Sequence, residues 1–397
     1  MRNRPWFLFL PALAVGCGGV ELPCNIQERD CQEALLDETA AMLGIEAGAF
    51  PSVSSITPAE LRELIDRATA EVTPRPEIDA ALAGFGLIPA DMRLEEVDGD
   101  FSAEGIAAFY LPGVQDVVIV ERESTTENTA FSNLVLAHEF VHLFQDRRFG
   151  LDHAVNSTDE DVAYRTLVEG DATLGGDRVY AAIEGVTEEV AWERTYLDWR
   201  DNIISGLNPT EWRRAQRLLV YPVGAHVFAL GARPDEMFAS PPRRFRAWLR
   251  GTPTEAEPPP LTCLPPVPPT GWQLHVLDEL GAAAVLGLTR NLADAQSLQE
   301  DRLAIYVGPN GATAAAWHLS ASSADAAERI AQATGGAREG TLVRSVWGST
   351  DEVKALFQER SCGGEVELAA LPTEVDFVGA SLSRPHPLKF SVSERTW

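Results

Sequence analysis

The sequence predicts an α+β chain: a mainly helical region with a small β-hairpin on its N-terminal side, then a C-terminal α+β unit. Three observations predict it. Apolar residues recur at helical spacing in several windows between residues 31 and 230. Two β-rich runs, Ile106–Leu111 and Asp116–Glu121, flank Pro112-Gly113 as a hairpin does. Beyond a proline-rich stretch at 252–271 the pattern changes to strands alternating with short helices.

The elements follow in order. Arg2 and Arg4 precede an apolar run from Trp6 to Gly16, too short to span a bilayer and shaped like a secretory signal peptide. Its end, Ala14-Val15-Gly16-Cys17, resembles a bacterial lipobox with Ala14 in place of the usual Leu, which makes Cys17 the lipidated first residue. The alternative is an ordinary signal peptide cut nearby. Cys31 to Gly44 reads as a helix with Leu35, Leu36 and Met42 on its apolar side. Thr57-Pro58-Ala59-Glu60 supplies an N-cap, a Pro at the first helical position and a capping-box Glu. That helix runs to about Thr73, where Pro74 and Pro76 end it. Asp98-Gly99-Asp100 lacks the ligand spacing of a calcium loop and reads as a turn.

After the hairpin, Thr129 to Asp146 is a helix apolar almost all round, hence buried. Ser157 and Glu160 cap a second helix that runs at least to Thr173, with Gly175-Gly176 expected to kink or end it. Helices are expected over Glu188–Ile204 and Pro209–Leu230. Residues 252–271 read as a stiff connector. Strands at Leu303–Val307, Ala314–Leu319 and Thr341–Trp347 and helices at Ala324–Ala333 and Asp351–Glu359 complete the C-terminal unit. The expected division is therefore a leader at 1–16, a tether and helical region at 17–100, a helical domain at 101–251, the connector, and the α+β unit at 272–397.

Charge narrows the partners. The 397 residues carry 59 Asp and Glu against 32 Lys and Arg, a formal charge of −27, and the only lysines are Lys354 and Lys389. So acidic a surface repels phosphate backbones and anionic membrane surfaces, so no nucleic-acid partner is expected, and no membrane contact except through an N-terminal lipid anchor. Apolar residues at 45% and charged residues at 23% are globular values and exclude wholesale disorder. With Cys17 set aside, Cys24, Cys31, Cys263 and Cys362 form an even set in an exported chain. Cys24–Cys31 and Cys263–Cys362 is the favoured pairing, because the first two are close in sequence.

The strong motif is His138-Glu139-Phe140-Val141-His142. Positions four apart share one helix face, so both imidazoles can converge on one metal ion. Glu139 is turned about 100° away, where it can reach an attacking water instead of the metal. Zinc at such a site needs a third protein ligand and keeps one position open. Glu169, in Leu167-Val168-Glu169-Gly170-Asp171-Ala172 on the next helix, is the candidate, and Gly170 is expected to let its backbone pack closely beside the metal helix. Asp171, or Asp146 four residues past His142, is expected to orient a histidine through its second ring nitrogen; each also reads as a solvated carboxylate.

On these motifs the chain resembles the gluzincins, zinc metallopeptidases with two His from the first motif and a Glu from a following helix. More narrowly it is similar to a group of bacterial secreted proteins that pair the motif with a Glu-Gly-Asp-Ala run. The resemblance covers about Gly105 to Arg246. It implies a zincin-like catalytic domain with one zinc per chain on His138, His142 and Glu169, and Glu139 as general base. It also implies that Tyr221, in Tyr221-Pro222-Val223-Gly224, steadies the oxyanion, with His226 as runner-up; a core Tyr is the alternative. Ser240-Pro241-Pro242-Arg243-Arg244 resembles a downstream Pro-Pro motif of the group, and the hairpin stands where gluzincins bind extended peptide along an edge strand. The expected function is peptide hydrolysis by an extracytoplasmic chain, lipid-anchored at Cys17 or secreted if Cys17 is unmodified. The alternative is a non-catalytic metal-binding surface lipoprotein, a binding or assembly module. Loss of the leader takes the charge from −27 to −29 with Arg2 and Arg4, so neutral or basic peptides are the expected substrates.

Overall fold

The structure is a computed structural model that describes residues 20–71, 73–94, 96, 105–186, 192–208, 210–360 and 362–363. The leader with Cys17, the Asp98-Gly99-Asp100 turn and residues 188–191 lie outside the described residues. Among the described residues helix outweighs strand, about 52% to 16%, and the strands form two separate sheets, an α+β class. Among the described residues no helix is long and apolar enough to cross a membrane.

The chain opens with α1 (Arg29–Leu43), β1 (Ser52–Ile56), α2 (Pro58–Glu71) and α3 (Pro76–Gly84). Thr57 and Glu60 cap α2 reciprocally: the Thr57 hydroxyl accepts the Glu60 N–H at 3.2 Å, and the Glu60 carboxylate accepts the Thr57 N–H at 2.7 Å. The hairpin is β2 (Ala108–Leu111) and β3 (Asp116–Val120), and β1 joins it in the order β1-β3-β2. The β1–β3 pair is parallel, Ser52 facing Asp116 and Ile56 facing Val120.

A one-turn helix α4 (Glu123–Thr126) leads into α5 (Ala130–Phe149) and α6 (Thr158–Glu184). Helix α6 runs straight through Gly175 and Gly176, where a kink or an end was expected. These glycines face α5: a Cβ on Gly175 would lie 2.6 Å from Val141 Cγ2, and one on Gly176 3.2 Å from the Leu134 carbonyl oxygen. They are contact points, and Gly185, at φ 65°, ends the helix.

Next come α7 (Trp192–Ser205), α8 (Trp212–Leu218) and α9 (Val220–Ala229). The single helix expected over 209–230 is thus two, because Pro222 lacks the N–H that would bond back to Leu218 and its ring crowds that carbonyl. Helices α10 (Pro234–Ala239) and α11 (Phe245–Leu249) follow.

The C-terminal unit holds β4 (Gln273–Asp278), α12 (Gly281–Thr289), α13 (Leu292–Ser297), β5 (Leu298–Val307), β6 (Thr313–Ala321), α14 (Ala324–Thr334), β7 (Ala337–Glu339), β8 (Leu342–Gly348) and α15 (Asp351–Gln358). Its sheet runs β4-β5-β6-β8-β7, with every neighbouring pair antiparallel. Both disulfides pair as expected, Cys24–Cys31 and Cys263–Cys362. The proline-rich connector is packed, not free. Pro265, Pro266 and Pro269 are buried, and the Pro266 carbonyl accepts the Tyr306 hydroxyl at 2.6 Å.

One hydrophobic core spans the connector, from Leu82 of α3 through Leu167 of α6 and Val223 of α9 to Val285 of α12 and Trp317 of β6. Polar groups fasten the same junction. Asp278 accepts the Thr158 N–H at 2.8 Å and its hydroxyl at 2.6 Å, satisfying the start of α6. Asp301 accepts the N–H groups of Leu280 and Gly281 at 2.9 and 3.1 Å and so starts α12. Arg244 donates to Glu279 and to Glu300, the latter at 2.9 Å. Burial pushes the carboxyl of Asp159 up to about 8 and those of Asp278 and Glu300 up to about 7.

Candidate metal centre

Helices α5 and α6 lie antiparallel. Gly176 abuts Leu134 and His138 at one end, and the Gln145 side chain donates to the Val168 carbonyl at the other, 3.0 Å away. This register sets Glu169 opposite the two histidines. His138 Nε2 and His142 Nε2 are 3.1 Å apart, and each is 3.3 Å from Glu169 Oε2. Among the described residues this is the one group of three or more His, Cys, Asp or Glu side chains whose ligand atoms converge in this way, and it can hold a metal ion. The three side chains are 10 to 20% exposed, so the triangle is partly open to solvent.

Hydrogen bonding shows why the triangle suits a cation. Gln145 Nε2 donates to the Val168 carbonyl and to Asp171 Oδ2 at 2.9 Å, so its Oε1 faces His142 Nδ1 at 2.9 Å and must accept from it. With its proton on Nδ1, a neutral His142 aims the lone pair of Nε2 at a carboxylate oxygen, acceptor against acceptor. A cation between them resolves the conflict. In its place a proton does so: despite burial, Glu169 raises the His142 pKa, while the histidines hold Glu169 far below the usual carboxylate range.

Glu139 is buried, and burial raises its carboxyl above the ordinary value, the charges of His138 and His142 opposing. The nearby backbone N–H of Tyr110 in β2 also opposes the rise. Among the described residues β2 is the edge strand of its sheet, and Tyr110 pairs with Val117 on its inner side. Its outward-facing edge therefore runs past Glu139.

Tyr221 comes to the site from α9, its ring 6.1 Å from that of His138. The Glu169 charge, then burial, raises its pKa, so the hydroxyl stays protonated as a donor. Trp199 of α7, 39% exposed, stacks on Tyr221 at 6.4 Å. His226, five residues on, is turned about 140° around α9 and faces away from the triad.

Three expectations change. Asp171 does not reach a histidine directly; it holds Gln145, which holds His142. Asp146 accepts the Tyr110 hydroxyl at 2.7 Å and the Leu151 N–H at 3.2 Å, steadying β2 and the end of α5. Gly170 packs on α9, not on the metal helix: a Cβ there would lie 2.4 Å from the Gly224 Cα. Glu169 and Tyr221 are thus set by one backbone-to-backbone crossing. Gln145 escaped the sequence reading although its place three residues past His142, on the same face, was a visible signal. Trp199, seen only through its partner, was not.

Arg243 pairs with Glu160 at 3.0 Å and Arg244 with the carboxylates of the junction, so both arginines of the Pro-Pro segment hold the fold together. His153 stacks on Tyr164 and His318 packs against Cys263 in the core, while His386 lies outside the described residues. No protein-family model matches the chain, and no curated protein or solved structure matches it.

Proposed function

We propose that the chain is a zinc-dependent metallopeptidase of gluzincin type, exported and lipid-anchored through Cys17, that cuts neutral or basic peptides. The observation that carries this reading is the triangle of His138, His142 and Glu169 beside the buried Glu139. Tetrahedral bonds of about 2.0–2.1 Å set ligand atoms about 3.3 Å apart, and the three donors stand 3.1, 3.3 and 3.3 Å apart. His138, His142 and Glu169 would hold the ion. When bound, zinc polarises the scissile carbonyl and makes water a nucleophile near neutral pH. Glu139 takes the proton of the attacking water and delivers it to the leaving amine, a role suited to a carboxyl raised by burial. The Tyr221 hydroxyl donates to the oxyanion. An extended substrate adds to the open edge of β2, which runs past Glu139. The two disulfides support an oxidising, extracytoplasmic compartment.

The test is peptide cleavage and metal content of the zinc-loaded mature chain. Wild type should bind one zinc and cut members of a broad peptide library. Glu139→Gln should keep the zinc and lose about 10²–10⁴-fold in rate, and Glu169→Ala should lose the zinc. A zinc-loaded wild type that cuts no peptide would sink the proposal and favour a binding or assembly module.

A further inference from the structure

Behind the metal helices lies a cavity of about 350 Å³ that the proposed reaction does not use. It is walled by Val141, Phe144 and Arg148 of α5 and by Asp171, Leu174 and Arg178 of α6. Each set is spaced i, i+3, i+7 and so forms one face of its helix. On α6 that face is turned about 140–200° from Glu169, so the cavity and the metal triangle occupy opposite sides of the helix. Phe228 and the turn at Gly231 and Ala232 close the far side.

The lining is out of keeping with the rest of the protein. In a chain of formal charge −27, the cavity wall carries Arg148, Arg178 and Arg233 against Asp171 and Asp235. Two of these arginines are already paired, Arg148 with Asp235 at 2.6 Å and Arg233 with Glu236 at 2.7 Å. Arg178 is different. Its Nε is sealed from solvent and has no hydrogen-bond partner among the described residues. It feels the charge of Asp171, but that carboxylate is engaged by Gln145. The terminal nitrogens of Arg178 also have no hydrogen-bond or ion-pair partner among the described residues and, unlike Nε, are not sealed, and a planar carboxylate can take two N–H groups of a guanidinium at once. The neighbouring wall is apolar, from Val141, Phe144, Leu174 and Phe228. At about 30 Å³ per heavy atom the volume takes a ligand of about a dozen such atoms.

We propose that this cavity binds a carboxylate bearing a short apolar group, the carboxylate on Arg178 and the apolar part between α5 and α6. Two sources share that chemistry, a medium-chain fatty acid and the C-terminus of an apolar peptide.

The experiment titrates the mature chain, with zinc and after chelation, with decanoate and with N-acetyl-leucine, using decanol and N-acetyl-leucinamide as uncharged controls. Calorimetry should show one saturable site for at least one acid, equally tight with and without zinc, and much weaker binding of its control. Arg178→Gln should weaken it tenfold or more, as loss of a charged hydrogen bond does, whereas Arg178→Lys should retain most of it. Ala232→Trp, in the wall that closes the far side, should fill the cavity and block binding while leaving circular dichroism and zinc content unchanged. Saturable binding of decanoate alone assigns a lipid source, and of N-acetyl-leucine alone a peptide source. No saturable binding by either acid, equal binding of the uncharged controls, dependence on zinc, or indifference to both Arg178→Gln and Ala232→Trp would overturn the proposal. None of these readouts depends on peptidase activity.

Discussion

The crossing of α6 and α9 makes Gly170→Ala a sharp test of how the metal centre is positioned. A Cβ on Gly170 would lie 2.4 Å from both Cα and C of Gly224 and 2.8 Å from the Ala225 nitrogen. Carbon atoms rest at about 3.5–4.0 Å, so the two helices must part by more than about 1 Å. Both obstacles are backbone, which leaves no rotamer to turn aside, so the strain belongs near the top of the overpacking range, about 3 kcal/mol. Alanine returns about 1 kcal/mol of helix propensity, leaving a net loss of about 2 kcal/mol. Glu169 is the adjacent residue on α6, and Tyr221 lies one turn before Gly224, so the same displacement shifts the proposed ligand and the proposed oxyanion donor together. Gly170→Ala should lower the Tm by a few degrees and weaken zinc binding about tenfold or more. Gly105→Ala, where a new Cβ meets nothing within 4 Å, is the control and should change neither. Thermal unfolding and zinc competition read both effects. Wild-type values for Gly170→Ala would refute the claim that this crossing sets the site.

Gln145→Leu removes the group that holds the His142 ring, and zinc affinity should fall about 10- to 100-fold, with a loss of stability of about 1–3 kcal/mol or more from the Val168 carbonyl and Asp171 carboxylate left unpaired; unchanged affinity would mean that His142 is held by packing alone. The junction carboxyls of Asp159, Asp278 and Glu300 are raised in the folded chain, so between about pH 4 and 8 the native state binds protons that the unfolded chain has lost. Stability must therefore fall as pH rises through that window, and Glu300→Gln should flatten the fall; a Tm that is the same or higher at pH 8 than at pH 5.5, or an unchanged slope in the variant, would contradict this. The Cys263–Cys362 bridge closes a far longer loop than Cys24–Cys31, separations of 99 and 7, so losing it should cost about 4–5 kcal/mol against about 2–3. Denaturant unfolding of the two double Cys→Ala variants compares them, and an equal or reversed order would show native strain or residual unfolded structure to dominate.

Local chemistry was what the sequence made readable. The five-residue histidine motif, the Thr57–Glu60 box, the Ser157 cap and the apolar run of α5 all act within one helix turn or face, so position alone implies partner. Strand β1 was missed because Ser52–Ile56 has little alternation and gains its place only by pairing with β3, more than 60 residues on. Helix α12, Gly281–Thr289, is apolar all round and carries no amphipathic period to detect. Gly170 was read as a packing glycine, but which helix it meets depends on where α9 returns, and nothing near Gly170 encodes that. The Arg244 cluster draws on residues from 159 to 300, so its members look like ordinary surface charges until the fold gathers them.

The Cys263–Cys362 bridge also makes a covalent ring. Every strand of the five-stranded sheet lies inside it, from Gln273 to Gly348. A single backbone cut anywhere in that ring leaves the two pieces joined through sulfur and still interleaved in one sheet. In surroundings that contain peptidases, the C-terminal unit can be nicked without being shed. The nicked chain keeps its mass under non-reducing conditions and separates into two fragments only after reduction.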